Sequence, residues 1–488
     1  MPKATLAAIL ASLLALVPTP SAVAYGETAL DRYVAATDPA YRYELVTTIP
    51  GAGYTAHVLD MTSQQWRSAR EVDKPLWRHW LTIVRPERVD TRIGVLVIGG
   101  GSTASRPPAR INPLLTSLAV MTRSVVSEVR MVPNQPLTFA EEEMPRSEDA
   151  IIAYSWEKYL RTGDETWPLR LPMTKSAVRA MDAVTAFCAS PQGGATVVDR
   201  FVVGGRSKRG WTAWTTAAVD KRVVAIVPMV IDMLNIEPSI EHHYRAYGRW
   251  ASALGPYQEA GLMQWLGTAQ SRELLAIEDP YAYRDRLTMP KMIVNSTGDQ
   301  YFLPDSSQFY IDGLQGETYL RYVPNTDHSL RGSDAAESSL AFYQSIIAGL
   351  ERPRFEWSFE KNGSIRLRTQ TEPTVVRLWQ AANLTARDFR LETIGPAFRS
   401  SVLNDEGDGV YTGKVATPAQ GWVAFFLEMT YPNELGNSFK FTTGVRVGRM
   451  FCRSNLRAAW KAKHFLARKN DQKVAGSCEN LAVHITPG

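Results

Sequence analysis

The sequence is poor in cysteine, with three among 488 residues. Three thiols cannot build a disulfide framework, and in an oxidising compartment at least one stays unpaired. Cys188 falls in the apolar stripe of a helical pattern, where a thiol is buried and inert. Cys452 and Cys478 lie within reach of each other near the C-terminus, but nothing in the sequence requires them to pair. Neither Cys-x-x-Cys nor His-x-x-His spacing occurs, so no metal site and no cofactor are expected. Charge of one sign is also lacking. The net charge is +5, and residues 453–473 alone carry seven Lys or Arg against Asp471. The remainder is near neutral and offers no basic face for nucleic acid. The longest apolar run, Leu6–Val17, is too short to span a bilayer, and no later run is longer.

That run follows Lys3 and precedes Ala22-Val23-Ala24. A positive start, an apolar centre and a small-residue site are the marks of a secretory signal. Residues 1–24 are therefore read as removed, leaving a secreted or periplasmic chain from Tyr25. With 45% hydrophobic residues the chain is globular, and its length suits two domains.

The most informative stretch is Val202-Val203-Gly204-Gly205-Arg206-Ser207-Lys208-Arg209-Gly210-Trp211. A β-branched run meets paired glycines and a serine, then small residues at helical spacing from Thr212 to Ala218. This predicts a strand–turn–helix with Ser207 at the apex, as in the Gly-x-Ser-x-Gly nucleophile elbow. Arg209 stands where the second glycine belongs, and Gly210 comes one residue late. Further along, the strand Lys291–Asn295 leads into Ser296-Thr297-Gly298-Asp299. The strand Tyr319–Val323 leads into Pro324-Asn325-Thr326-Asp327-His328. Serine, then acid, then histidine, each after a strand, is the α/β-hydrolase order. His328 is one of only seven histidines. Ser207, Asp299 and His328 are thus the expected triad. Asp232, just after the strand Val223–Val230, is the alternative acid, and Asp305 and Asp327 are weaker ones. The strand Ile93–Ile98 ends in Gly99-Gly100-Gly101-Ser102. Backbone N–H groups of Gly100, Gly101 and Ser102, with that of Lys208, are the expected oxyanion-hole donors.

Between these landmarks, alternating strands are expected at Tyr43–Ile49 and Tyr54–Met61. Helices are expected over Asn112–Met121, from a Ser147 N-cap to Leu160, and over Met173–Cys188. In this reading Glu148 and Asp149 complement the dipole of the second helix, or meet a substrate amine. Residues 233–288 read as a helical cap rich in Tyr and Trp, including His242 and His243. Asp305 is expected to cap a helix to Leu314. From Phe355 onward short strands, one of them Phe389–Thr393, read as a β-sandwich. The expected division is a hydrolase domain over 25–352, a β-sandwich over 353–447 and a basic tail over 448–488. That tail is either a solvated extension or a peripheral contact with a membrane surface.

With these motifs in hand, the sequence resembles the PhoPQ-activated pathogenicity-related protein family over roughly residues 30–447. The likeness is carried by Ala153-Tyr154-Ser155-Trp156, Trp167-Pro168-Leu169-Arg170-Leu171-Pro172-Met173-Thr174-Lys175, Ser207-Lys208-Arg209-Gly210-Trp211 and Asp279-Pro280-Tyr281-Ala282-Tyr283-Arg284. Met289-Pro290-Lys291, Gly298-Asp299 and Val323-Pro324-Asn325 with His328 complete it. The resemblance implies an exported α/β-hydrolase-like protein with a helical cap and a β-sandwich C-terminus. The segment Gly205-Arg206-Ser207-Lys208-Arg209-Gly210 is also similar to the elbow of glucuronoyl esterases, with Lys208 in the place of their arginine. That likeness implies a cation positioned for an oxyanion or an acidic substrate group. The expected function is a serine hydrolase acting on a small ester or a peptide. A serine peptidase and a non-catalytic binding or signalling protein are the alternatives.

Overall fold

The computed structural model describes residues 26–416 and 420–448. The expected signal sequence, the expected basic tail beyond Gly448, Cys452 and Cys478 lie outside the described residues. The chain opens with helix α1 (Ala29–Ala35), closed by a capping box between Thr28 and Asp31. Three antiparallel strands follow: β1 (Arg42–Gly51), β2 (Tyr54–Gln65) and β3 (Leu76–Pro86). The apolar run then forms β4 (Ile93–Ile98), followed by α2 (Pro113–Thr122) and β5 (Val126–Val129). Helices α3 (Asp149–Thr162) and α4 (Arg170–Ala189) precede β6 (Arg200–Arg206), α5 (Lys208–Val219) and β7 (Val223–Met229). The insertion holds α6 (Ile236–Tyr247), α7 (Gly255–Glu259), α8 (Ala269–Glu278) and 3-10 turns. It is followed by β8 (Lys291–Ser296), β9 (Thr318–Val323) and α9 (Ala335–Ala348).

Strands β5, β4, β6, β7, β8 and β9 lie side by side and parallel. Their near-continuous burial suits a sheet covered on both faces. On one face the core joins α3, α4 and α5 around Trp66, Trp77 and Trp214. On the other it joins α2 and α9 around Leu115, Ala119 and Phe342. Every strand-to-helix turn that carries a candidate residue leaves the same, carboxyl edge of the sheet.

Beyond α9 come β10 (Phe355–Phe359), β11 (Ile365–Thr369), β12 (Val375–Asn383), α10 (Leu391–Ile394), β13 (Arg399–Leu403), β14 (Val410–Gly413), β15 (Trp422–Tyr431), β16 (Phe439–Thr442) and β17 (Arg446–Gly448). Strands β10, β11 and β14 form a small sheet of their own. It packs on the sheet of β12 and β15 through Ile365, Leu367, Leu378 and Leu427. The two sheets approach so closely that a Cβ on Gly413 would lie 2.5 Å from the Leu427 side chain. The sandwich-like packing is present, but one of its layers is continuous with the central sheet. Thr442 of β16 pairs with Leu320 of β9, giving a fourteen-stranded sheet among the described residues. The join is reinforced by Arg321, 1% exposed, which donates to the Glu428 and Asp334 carboxylates.

Two local expectations are corrected, and one strand is added. The strand expected at Phe389–Thr393 is instead the short α10. Asp388 accepts from the Arg390 N–H, the Arg390 guanidinium and Thr393 Oγ1, and this side-chain turn breaks an extended path. The edge strand β13 was not foreseen, because its side chains are nearly all exposed and show no alternation. Asp305 stands at the start of a short 3-10 helix, Ser306–Phe309, rather than of a helix to Leu314, and its side chain makes no capping hydrogen bond. Arg387 and His242 take its carboxylate, and the chain beyond it makes two 3-10 turns.

Candidate active site

Ser207 occupies the turn between β6 and α5 with φ 54° and ψ −129°. A non-glycine residue in this region stores strain, of order 1–3 kcal/mol, which the surroundings must hold. Here the Ser207 N–H donates to the Met229 carbonyl at 2.8 Å, and the Ser207 carbonyl accepts from Trp211 N–H at 2.9 Å. The late glycine is explained by the crossing of α5 over the sheet. A Cβ on Gly210 would sit 2.8 Å from the Gly205 carbonyl oxygen and 3.1 Å from the backbone of Met229. A Cβ on Gly205 would sit 2.5 Å from the Arg209 carbonyl. Those two positions need glycine. Position 209 points away and carries a side chain.

The Arg209 guanidinium crosses to the neighbouring loops. Its Nε donates to the Val132 carbonyl at 2.6 Å, and its two Nη groups each reach a Glu148 oxygen at 2.8 Å. It lies directly over Gly100, where a Cβ would meet Nη2 at 2.8 Å. The Gly99–Gly101 loop is held from the other side by Met131 and Val132, whose N–H groups donate to the Gly100 and Gly99 carbonyls. Gly101 has φ +138°, a conformation open to glycine. The N–H of Lys208, first in α5, has no intrahelical acceptor by its position and lies at the positive end of the helix.

Asp299 lies 3% exposed at the end of β8. Its Oδ1 accepts from Tyr301 N–H at 2.8 Å and its Oδ2 is 2.8 Å from His328 Nδ1. The His328 backbone N–H donates to Gln300 Oε1, and the Tyr301 ring stands 4.7 Å from the imidazole. Both loops are braced by the C-terminal segment. Leu391 N–H donates to the Gly298 carbonyl, and the Asn325 side chain exchanges two hydrogen bonds with the backbone of Phe398.

The other candidate acids are placed elsewhere. Asp232 is 2% exposed, and its two oxygens accept from the Tyr310 and Tyr322 hydroxyls at 2.5 and 2.6 Å. Burial pushes its pKa up to about 7, against the pull of those two hydrogen bonds. Asp305 is taken by Arg387 and His242. Asp327 folds back on Ser329. Among these acids it is Asp299 that meets His328.

The acidic pair before α3 also differs from expectation. Glu148, not Ser147, precedes the helix, with φ 53° and no capping hydrogen bond. Its carboxylate binds Arg209 and, at 2.7 Å, the Lys208 ammonium, which also lies 3.2 Å from Asp149. Burial works against the Glu148 anion, but the Arg209 hydrogen bonds and the two cations hold its pKa well below the usual carboxylate range. The Lys208 ammonium is therefore already engaged by two carboxylates, both on residues that border the cleft. Two residues escaped the sequence reading. Arg209 was noted only as an intruder at a glycine position. Arg170, fully buried, donates to the Lys208 carbonyl at 2.7 Å and to Thr212 at 3.0 Å, stacks 4.2 Å over Trp211 and pairs with Glu278 at 3.4 Å. Its signals in the sequence are an arginine inside the apolar pattern of α4 and its place in the Trp167–Lys175 motif.

Ser207, His328, Gly100, Lys208, Tyr301 and Asp149 all border one open cleft of about 980 Å³. Among the described residues no group of three or more His, Cys, Asp or Glu could hold a metal, and no helix is long and apolar enough to cross a membrane. Cys188 is buried, and burial pushes its thiol up to about 12.

The family model for PhoPQ-activated pathogenicity-related proteins matches residues 30–390. The chain is 37% identical over 452 residues to "Autocrine proliferation repressor protein A" of Dictyostelium discoideum, covering 86% of this chain and 90% of that one. Among solved structures it is similar to an acetyl xylan esterase from Paenibacillus sp. R4, with 16% identity, 65% and 92% coverage and a TM-score of 0.46. It is also similar to a glucuronoyl esterase from Solibacter usitatus, with 13% identity, 65% and 90% coverage and a TM-score of 0.40.

Proposed function

The chain belongs to the PhoPQ-activated pathogenicity-related protein family, and we propose that it is an exported serine hydrolase cleaving an ester or amide bond. The observation that carries this reading is the convergence on one cleft of a serine on a strained turn and a histidine held at 2.8 Å by a buried aspartate. His328 Nε2 takes the proton of Ser207 Oγ as the oxygen attacks the carbonyl carbon. Asp299, accepting from Nδ1–H, selects the tautomer that leaves Nε2 unprotonated and stabilises the imidazolium that forms. The N–H groups of Lys208 and of the Gly100–Ser102 loop receive the developing oxyanion. His328 then protonates the leaving group, and water releases the acyl group from Ser207. The paired state of Lys208 argues against its ammonium as an anchor for an acidic substrate. The same pairing argues against Glu148 and Asp149 as a peptide-amine anchor, since an incoming ammonium would have to displace Lys208.

A second reading is a secreted signal that kept the fold, favoured by the name of the Dictyostelium relative. A fluorophosphonate probe separates the two, because it reacts only with a serine activated by a working base. The expected outcome is a label mapped to Ser207 and lost in His328→Ala. An unlabelled, folded protein would favour the signalling role.

A further inference from the structure

Ser207 stands where two cavities meet. The open cleft is bordered by Gly100 and His328. The second cavity lies beneath the helical insertion and measures about 80 Å³. Its wall is almost wholly apolar and includes Ile152 and Trp156 of α3, Ile240 of α6, Met263, and Leu274 of α8. Ser207, Lys208, Asp149 and Tyr301 border both cavities, whereas His328 borders the cleft and not the pocket.

Resting on the serine-hydrolase reading, we propose that this small apolar pocket binds the acyl half of the substrate, and that the substrates are esters of short, uncharged, apolar acids. The direction follows from proton transfer. As the Ser207 Oγ–carbonyl bond forms and the bond to the leaving oxygen breaks, the proton taken by His328 passes to that oxygen. The leaving group therefore lies on the His328 side, in the cleft, and the acyl group takes the other way out from Ser207. The size follows from the volume. A water-sized occupant needs about 10–15 Å³ on this measure, so the pocket admits roughly five to eight non-hydrogen atoms. The polarity follows from the mouth. Lys208 is already paired with Glu148 and Asp149, and Asp149 also receives the Tyr257 and Tyr301 hydroxyls at 3.4 and 3.5 Å. A charged acyl group would enter an apolar chamber whose counter-ions are occupied. Each methylene that the pocket covers is worth about fourfold in transition-state binding.

The test is kcat/KM across p-nitrophenyl esters from acetyl to dodecanoyl, with the succinyl half-ester as the charged comparison. Activity is expected to climb from acetyl to a maximum between butanoyl and octanoyl, by about 16-fold if the maximum is at butanoyl and up to about 4,000-fold if it is at octanoyl, then fall. The succinyl ester is expected about 100-fold below butanoyl. Ile240→Trp and Met263→Trp, which fill the pocket from its wall, should each move the maximum to acetyl. Ile240→Ala should move it to longer chains. A Ser207 that takes the fluorophosphonate label but shows a flat chain-length profile, or variants that lower every ester alike, overturns the acyl assignment alone. No label and no turnover of any ester overturns the parent reading together with it.

Discussion

Replacing Asp299 by asparagine tests the site through a single proton. Asp299 presents its two oxygens to different partners: Oδ1 accepts from the Tyr301 N–H and Oδ2 faces His328 Nδ1, both at 2.8 Å. An asparagine in the same place can satisfy Tyr301 only with its carbonyl oxygen. Its amide nitrogen must then turn to His328, where it donates to Nδ1. The imidazole is driven to the tautomer with its proton on Nε2, and that nitrogen can no longer accept the Ser207 proton. A triad disabled through its tautomer loses about 10⁴ in kcat, or about 5 kcal/mol of transition-state stabilisation, with its geometry intact. The assay is the rate of fluorophosphonate labelling of Ser207, with turnover of the best ester measured alongside. Circular dichroism checks that the variant is folded. Asp232→Asn is the control. Its side chain answers two tyrosines rather than a histidine, so labelling should stay within about threefold of the parent. An Asp299→Asn protein that labels within about tenfold of the parent would refute the assignment of Asp299 as the orienting acid. A large loss in Asp232→Asn instead would pass that role to Asp232.

Two further outcomes follow from packing and charge. Gly210→Ala places a methyl 2.8 Å from the Gly205 carbonyl and 3.1 Å from the Met229 backbone, none of which is a movable side chain. It should cost about 1–3 kcal/mol in urea unfolding and slow Ser207 labelling about tenfold or more, because α5 must lift off the sheet. Wild-type values in both measurements would show that the helix crossing relaxes freely. Asp305, buried between Arg387 and His242, has its pKa held at about 2: burial raises it, and Arg387 and His242 overcome that. Its folded value lies below its unfolded value, so its contribution is present above about pH 4 and is lost as pH falls from about 4 to 2. That contribution is about 2 kcal/mol. Asp305→Asn should be less stable by about that amount at pH 7 and show a flatter acid limb in urea midpoints between pH 2 and 7. Parallel curves for the two proteins would refute it.

Much of the scaffold was legible in the amino-acid sequence because it is written in short-range pattern. Apolar runs such as Ile93–Ile98 and Lys291–Asn295, too short for a helix and followed closely by turn residues, read as buried central strands, and they are β4 and β8. A valine run ending in glycines before a small-residue helix allows little but the turn at Ser207. The order Ser207, Asp299, His328 needs only their positions after successive strands. Pattern fails where partners are distant in the chain or where one side chain overrides propensity, as at Asp388 and at the exposed strand β13. The sequence by itself determined the sheet, the turn and a short set of candidate acids. Only the tertiary structure decided which carboxylate meets His328, why Gly210 rather than residue 209 must lack a side chain, and that Lys208 is spent on Glu148 and Asp149. Those outcomes depend on distances of a few tenths of an ångström between residues as far as 60 positions apart in the chain, and hydrogen bonds and steric contacts are decided at that scale.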